Sequence, residues 1–258
     1  MTRRSKTAAA KSPARVPLAA CLERANQSGA STWPQVEEDF LATMFGFDQL
    51  VARGETSQGD RQNGKGDFFN DLLVVVLEAA SGKKIHSRPD IKGLSFPKHK
   101  LDIAYPDKGP VRWTIETKAT GIPKHPGNTA QEHPGGRAGS ADLDKRIKEA
   151  ALKNIDIKGE TARAVGKGGG ATSDLSSWLK QAPPQCHLFL SVRVRDEADL
   201  AKTLRFAGIA SVWFDSVGLF AYGLNGASDG YEAKELRAPQ WELDRVLAPV
   251  ATSLRLMA

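Results

Sequence analysis

The stretch Leu101-Asp102-Ile103-Ala104-Tyr105-Pro106-Asp107-Lys108-Gly109-Pro110-Val111-Arg112-Trp113-Thr114-Ile115-Glu116-Thr117-Lys118 decides how this chain is read. Leu101, Ile103 and Tyr105 alternate with Asp102 and Ala104. Beyond the Pro- and Gly-containing turn, Val111, Trp113, Ile115 and Thr117 alternate with Arg112, Thr114, Glu116 and Lys118. A period of two predicts two strands, and Pro106 to Pro110 has the chemistry of a turn. The product is a hairpin with one apolar face and one charged face. Glu116 and Lys118 project from the same face, about 6.6 Å apart along the strand. A turn that pairs Tyr105 with Val111 sets Asp102 opposite Thr114 and diagonal to Glu116, within reach of a shared ligand.

Two converging carboxylates suit a hard divalent cation such as Mg²⁺, which takes one or two carboxylates and keeps several waters. Such an ion acidifies a bound water and neutralises charge on a phosphate. A neighbouring ammonium orients the nucleophile or stabilises the pentacovalent state. Acid-x-Lys tripeptides alone carry little specificity, since they begin at Asp90, Glu116, Asp156 and Glu232, and alternating charges on a hairpin are ordinarily just solvated. Only Glu116 follows an apolar-Asp-apolar strand across a short turn. Asp102, Glu116 and Lys118 are therefore the candidate catalytic residues, with Asp102 and Glu116 as candidate metal ligands.

Outward from the hairpin, the run from Asp67 to Leu77 predicts a largely buried helix over 67–80, with Asp67 in its first turn and Gly82 as terminator. The same β-branched run is compatible with a strand, but length and caps favour the helix. The polar residues 53–66 before it read as a loop, and an earlier strand is expected somewhere in 83–96. On the other side, Ser140 can cap a helix over 142–157 with Leu143, Ile147, Ala151 and Ile155 as its apolar stripe. Lys145, Arg146, Lys148 and Lys153 are expected on its exposed side. His187 to Val194 predicts a buried strand, followed by a helix near 196–207, strands near 209–215 and 218–224, and a helix near 240–256. Near the start, Val36, Phe40, Leu41 and Met44 share a helical face.

Of the 258 residues, 40% are hydrophobic and 26% charged, which excludes a disordered or fibrous chain. The apolar run from Leu72 to Leu77 is far too short to span a membrane. Cys21 and Cys186 make neither a disulfide framework nor a metal cluster, which points to a reducing, bacterial-type cytoplasm. The net charge of +6 is unevenly spread: residues 1–17 carry +5, 18–82 carry −6, 83–170 carry +8 and 171–258 carry −1. The basic middle is the footprint expected of a polyanion binder, although a lysine-rich surface is often merely solvated. Residues 1–17 lack an apolar core for a secretory signal. They read as a flexible basic arm, a composition that also suits a mitochondrial transit peptide. Residues 18–258 are expected to form one domain.

With these residues in view, the chain resembles the PD-(D/E)xK nuclease superfamily, and in size and lack of other domains it looks most like a type II restriction endonuclease. Asp102, Glu116 and Lys118 match the family's signature, and the predicted order of elements matches its αβββαβ core over about residues 64–195. The resemblance implies an α/β, restriction-endonuclease-like fold with a central mixed sheet flanked by helices. It also implies a Mg²⁺-dependent double-strand DNA endonuclease, with a homodimer matching two-fold DNA sites. A nonspecific nuclease of repair or phage defence, or a silent DNA-binding module, is the alternative.

The chain departs from the family where a Glu is usual on the first helix, in a G-x-x-F-E context: Gly66 to Asn70 places Asn70 there. Asn70 or Asp71 is the expected further metal residue, with Glu78 as a later candidate. The literal Pro89-Asp90 is the weaker choice for the first acid because of its loop setting. Lys65 before the helix, and Lys124, His125, His133 and Arg137 after the hairpin, are expected to contact DNA, Arg137 as a bidentate reader of guanine. Gly59 to Lys65 resembles a phosphate loop, but Gly66 stands where Ser or Thr would hold Mg²⁺, so no nucleotide cofactor is expected. His125, Asn128 and His133 do not make an HNH or zinc site. The five tryptophans are scattered and read as core or interface residues.

Overall fold

A computed structural model describes residues 13–106, 110–123, 136–164, 178 and 183–257. Three helices come first, α1 (Arg15–Ser28), α2 (Pro34–Ala52) and α3 (Gln58–Ser81). The short strands β1 (His86–Ser87), β2 (Asp90–Ile91), β3 (His99–Lys100) and β4 (Ile103–Tyr105) lead to β5 (Trp113–Thr120). Then follow α4 (Leu143–Ala164), β6 (Gln185–Arg193), α5 (Glu197–Ala210), β7 (Ser216–Leu224), β8 (Tyr231–Ala233) and α6 (Leu243–Leu256). Six strands form one mixed sheet in the order β1-β4-β5-β6-β7-β8, while β2 and β3 pair separately. β5, β6 and β7 run parallel to one another, and the outer pairings are antiparallel.

Helices cover both faces of the sheet, as parallel strands require. On one face α1, α2, α3 and α6 close a core around Trp33, Phe40, Phe69, Trp113, Ile115 and Phe220. On the other, α4 and α5 pack over Leu188, Leu190, Val192 and Leu219. Trp33 and Trp113 are core residues, as expected. Cys21 and Cys186 are buried free thiols, and burial pushes both up to about 12, away from reactive thiolate.

The expected arm ends sooner than residue 17. Arg15 opens α1 and its guanidinium pairs with Asp60 and Asp67, while Ala14 is buried. Residues 1–12 lie outside the described residues. The supposed loop 53–66 is mostly helix, because α3 starts nine residues before Asp67, at Gln58. Ser57 and Asp60 cap it reciprocally: the Asp60 N–H donates to Ser57 Oγ, and that hydroxyl donates to the Asp60 carboxylate. Gly64 belongs inside the helix because the Phe47 ring would lie 2.8 Å from any Cβ there. The phosphate-loop-like residues are thus helical turns. Between residues 83 and 96 the expected strand is two two-residue strands, β1 and β2.

The expected strand at 209–215 is absent. The helix α5 runs through Gly208 to Ala210 before a turn. Gly208 accommodates Trp241, whose ring would lie 3.3 Å from a Cβ. Strand β8 escaped the sequence pattern because three residues are too few for a period of two to stand out.

His187 gives one stability prediction. It is buried beside Trp113, its Nδ1 lies 2.8 Å from Ser216 Oγ, and burial, reinforced by Lys158, pushes its pKa down to about 3. As pH falls below about 6.5, the unfolded chain takes up a proton that the native state refuses. Stability should therefore drop from about pH 6.5 toward 3, by about 1.4 kcal/mol per pH unit from this residue. In urea denaturation across that range, His187→Phe should be less acid-sensitive than the parent. An unchanged slope would contradict the assignment.

Candidate active site

β5 carries the central residues because it lies inside the sheet, between β4 and β6. The hairpin register pairs Tyr105 with Trp113 and Ile103 with Ile115, not Tyr105 with Val111. The turn is two residues longer on the β5 side than the sequence suggested. Because side chains alternate with period two, this offset leaves every residue on its expected face. Asp102 lies just before β4, and its carboxylate reaches Thr117 and Lys118 on β5.

The charged face is not a solvated one. Glu116 is only 4% exposed, since α4 covers this side of the sheet. Three oxygens converge on the Lys118 ammonium: Glu116 Oε2 at 2.9 Å, the Thr117 carbonyl at 2.9 Å and Asp102 Oδ2 at 3.3 Å. Asp102 Oδ2 also accepts from the Thr117 N–H at 2.8 Å and from its hydroxyl at 3.2 Å, which fixes the carboxylate against β5. Burial alone would lower the pKa of Lys118. Glu116 and Asp102 outweigh it and hold the group above the ordinary lysine value, as a firm ammonium.

A second cation approaches from α4. Lys153 Nζ lies 3.1 and 3.0 Å from the two Glu116 carboxylate oxygens and donates to the Lys100 carbonyl at 2.9 Å. Lys153 was expected on the exposed side of its helix, and its partnership with Glu116 was missed. The available signal was its place three residues after Ala150 and four before Ile157, on the border of the buried stripe. A long side chain there reaches back over the sheet while its stem stays at the edge. α4 itself is held by Asp156, which accepts from the Ser95 and Phe96 N–H groups and pairs with His99, and by the buried Lys158 on Asp215.

Asp102, Thr117 and Lys118 open into a cleft of about 290 Å³ that Asn70, Arg61, Arg88, Arg137 and Arg146 also line. A larger depression, of about 410 Å³, lies between the end of α3 and the length of α6, and its charged lining residues are Asp244 and Arg255. Size therefore does not single out the candidate site; the convergence of charged groups does.

The other expected site residues divide. Asn70 is buried in α3 and lines the cleft; its Nδ2 bonds Asp71 and Ser87, and its Oδ1 has no partner. Asp71 is turned to Arg88 at 3.0 Å and does not line the cleft, so it is not brought to Asp102. Glu78 is committed elsewhere, accepting from the Ile85 N–H. Asp90 pairs with Lys98 on the separate two-stranded ribbon. Lys65 also lines the cleft but is only 6% exposed, with its ammonium 2.6 Å from Asp48 and 2.9 Å from the Gly121 carbonyl. Burial pulls its pKa down against the attraction of Asp48. Arg137 does line the cleft, paired with Asp142 and bridged to Ile122. Lys124, His125 and His133 lie outside the described residues.

Two carboxylates and a carbonyl form a hard oxygen set, and in this structure they already enclose a cation, the Lys118 ammonium. That donor chemistry fits Mg²⁺. Among the described residues there is no group of three or more His, Cys, Asp or Glu side chains placed to hold a metal, so a bound ion would draw on the carbonyl and on water as well. No helix among the described residues is long and apolar enough to cross a membrane. Comparison with protein families, with curated proteins and with solved structures returns no match to this chain.

Proposed function

We propose that this protein is a Mg²⁺-dependent double-strand DNA endonuclease with a restriction-endonuclease-like core, cutting at specific sites as a homodimer. The observation that carries this reading is the convergence of Asp102, Glu116 and the Thr117 carbonyl on the Lys118 ammonium, beside a cleft lined by arginines. The element order α3, β1, β4, β5, α4, β6 supports it, with β2 and β3 as an insertion between the first two strands of the core.

Asp102, Glu116 and the Thr117 carbonyl are the groups that would hold the metal, and Asn70 Oδ1, buried and unpartnered, is placed to accept from a water in the cleft. Bound there, Mg²⁺ would supply an acidified water and charge neutralisation at the scissile phosphate. Lys118 keeps its proton and serves as an electrostatic group: it orients the attacking water and offsets charge building on the phosphoryl oxygens. Arg61, Arg88, Arg137 and Arg146 supply the backbone attraction that positions a duplex without specifying its sequence.

Incubation of the full chain with supercoiled plasmid, with Mg²⁺ and with EDTA, tests the reading. Discrete linear fragments that require Mg²⁺ are the expected result. A smear would replace site-specific cutting with nonspecific nuclease action. DNA binding without cleavage in any divalent metal would reduce the protein to a DNA-binding module.

A further inference from the structure

Glu116 is the most buried carboxylate of the candidate site, yet it faces two ammonium groups. Lys118 takes one oxygen and Lys153 takes both. With Asp102, the site holds two negative and two positive charges and is neutral without any metal. A divalent cation placed on Asp102 and Glu116 would leave an excess of two positive charges at a group shielded from water, where charge interactions are weakly screened. Lys118 cannot account for the whole balance, because it belongs to the oxygen cluster itself. Lys153 is the added element. It comes from a different secondary-structure element, is not among the residues lining the cleft, and is more exposed than Lys118, at 28% against 16% of its side chain.

We propose that Lys153 is a resident counter-cation that holds the affinity of Glu116 for metal low until a phosphate anion enters the cleft. The inference rests on the nuclease reading for the nature of the site, and it adds a regulatory property to it. A phosphate polyanion supplies the negative charge that metal binding lacks, so metal and nucleic acid each raise the affinity for the other by the same factor. The DNA-free protein is thereby kept from loading metal and hydrolysing nonspecifically. Asp156 and Lys158 hold α4 in place, so relief of the Glu116 contact falls to the Lys153 side chain and not to the helix.

The test is Mn²⁺ binding to the full-length, DNA-free protein by calorimetry, for the parent, Lys153→Met, Lys153→Gln and Lys153→Arg. The two neutral variants should bind Mn²⁺ about tenfold more tightly or better, and the arginine variant should bind like the parent. A short phosphorothioate duplex, a cleavage-resistant polyanion, should tighten Mn²⁺ binding strongly in the parent and less in the neutral variants. Misfolding cannot produce tighter binding, so the gain separates charge compensation from a structural role. Equal or weaker Mn²⁺ binding by the neutral variants would overturn the proposal and make Lys153 a support for Glu116. No Mn²⁺ binding by any form would overturn both this inference and the metal-site reading. Tightened binding without DNA cleavage would uphold the counter-cation and remove the nuclease activity alone.

Discussion

Replacing Lys118 by alanine is expected to lower Mg²⁺-dependent plasmid cleavage by about 10²–10⁴-fold while leaving DNA binding in place. The size follows from what the ammonium touches. It is the one donor that contacts Asp102, Glu116 and the Thr117 carbonyl together, so it is fixed relative to the metal-holding oxygens before any substrate arrives. A preorganised charge at the reacting centre is worth far more than the same charge in water, because no solvent has to reorganise during reaction. Alanine also removes a counter-charge from two carboxylates, so the thermal midpoint should be measured alongside. Single-turnover cleavage by folded Lys118→Ala at the parental rate would remove Lys118 from the chemistry. Lys118→Arg should recover only part of the activity, since a guanidinium is too broad for the position among three oxygens.

The second large effect concerns folding. Lys65→Met should destabilise the protein by about 3–5 kcal/mol, because it leaves Asp48 buried without its cation. Asp48 is 3% exposed and has two near neighbours on one oxygen, the Lys65 ammonium at 2.6 Å and the Tyr231 hydroxyl at 2.7 Å; Arg193 Nε stands off at 3.9 Å. Its other oxygen is unpartnered. The same Lys65 ammonium donates to the Gly121 carbonyl just past β5, so the substitution also frees the chain where it leaves the candidate site. At Gly121, φ is +86° and a Cβ would lie 2.3 Å from the Arg193 carbonyl, so no other residue fits that exit without strain. The double variant Asp48→Leu with Lys65→Met should regain most of the loss, since a buried pair replaced by apolar groups of similar volume is often neutral. Urea denaturation of the two single variants and the double variant measures this. A single variant as stable as the parent would show that the pair contributes little.

Lys65 also shows where one-dimensional reading ends. In sequence it stands in a polar stretch before an apolar run, and such a lysine is ordinarily at the surface. Its burial depends on Asp48, on a different helix, and on Gly121, 56 residues later, and no local pattern contains that pairing. The start of α3 was closer to legible. Ser57 and Asp60 have cap spacing, but Gly59, Gly64 and Gly66 read as loop, and only the fit of Gly64 against Phe47 explains one of them inside a helix. Gly208 is a similar case, a packing glycine that reads like a terminator until Trp241 is placed beside it.

What the sequence determined by itself was whatever depends on neighbours along the chain. The alternation around Asp102, Glu116 and Lys118 assigned two strands and one shared face, and a two-residue change of register could not alter that face because the side-chain period is two. The helical stripe of α4 and the strand at 187–194 are local patterns of the same kind. Only the tertiary structure decided that the charged face is buried, because that depends on α4 crossing over β5. The same packing turned Lys153 from a solvated residue into the second cation on Glu116, sent Asp71 to Arg88, and left Asn70 beside the cleft. Charge along a chain is additive and visible in composition. The balance of charge around a single buried carboxylate is set by which elements meet there.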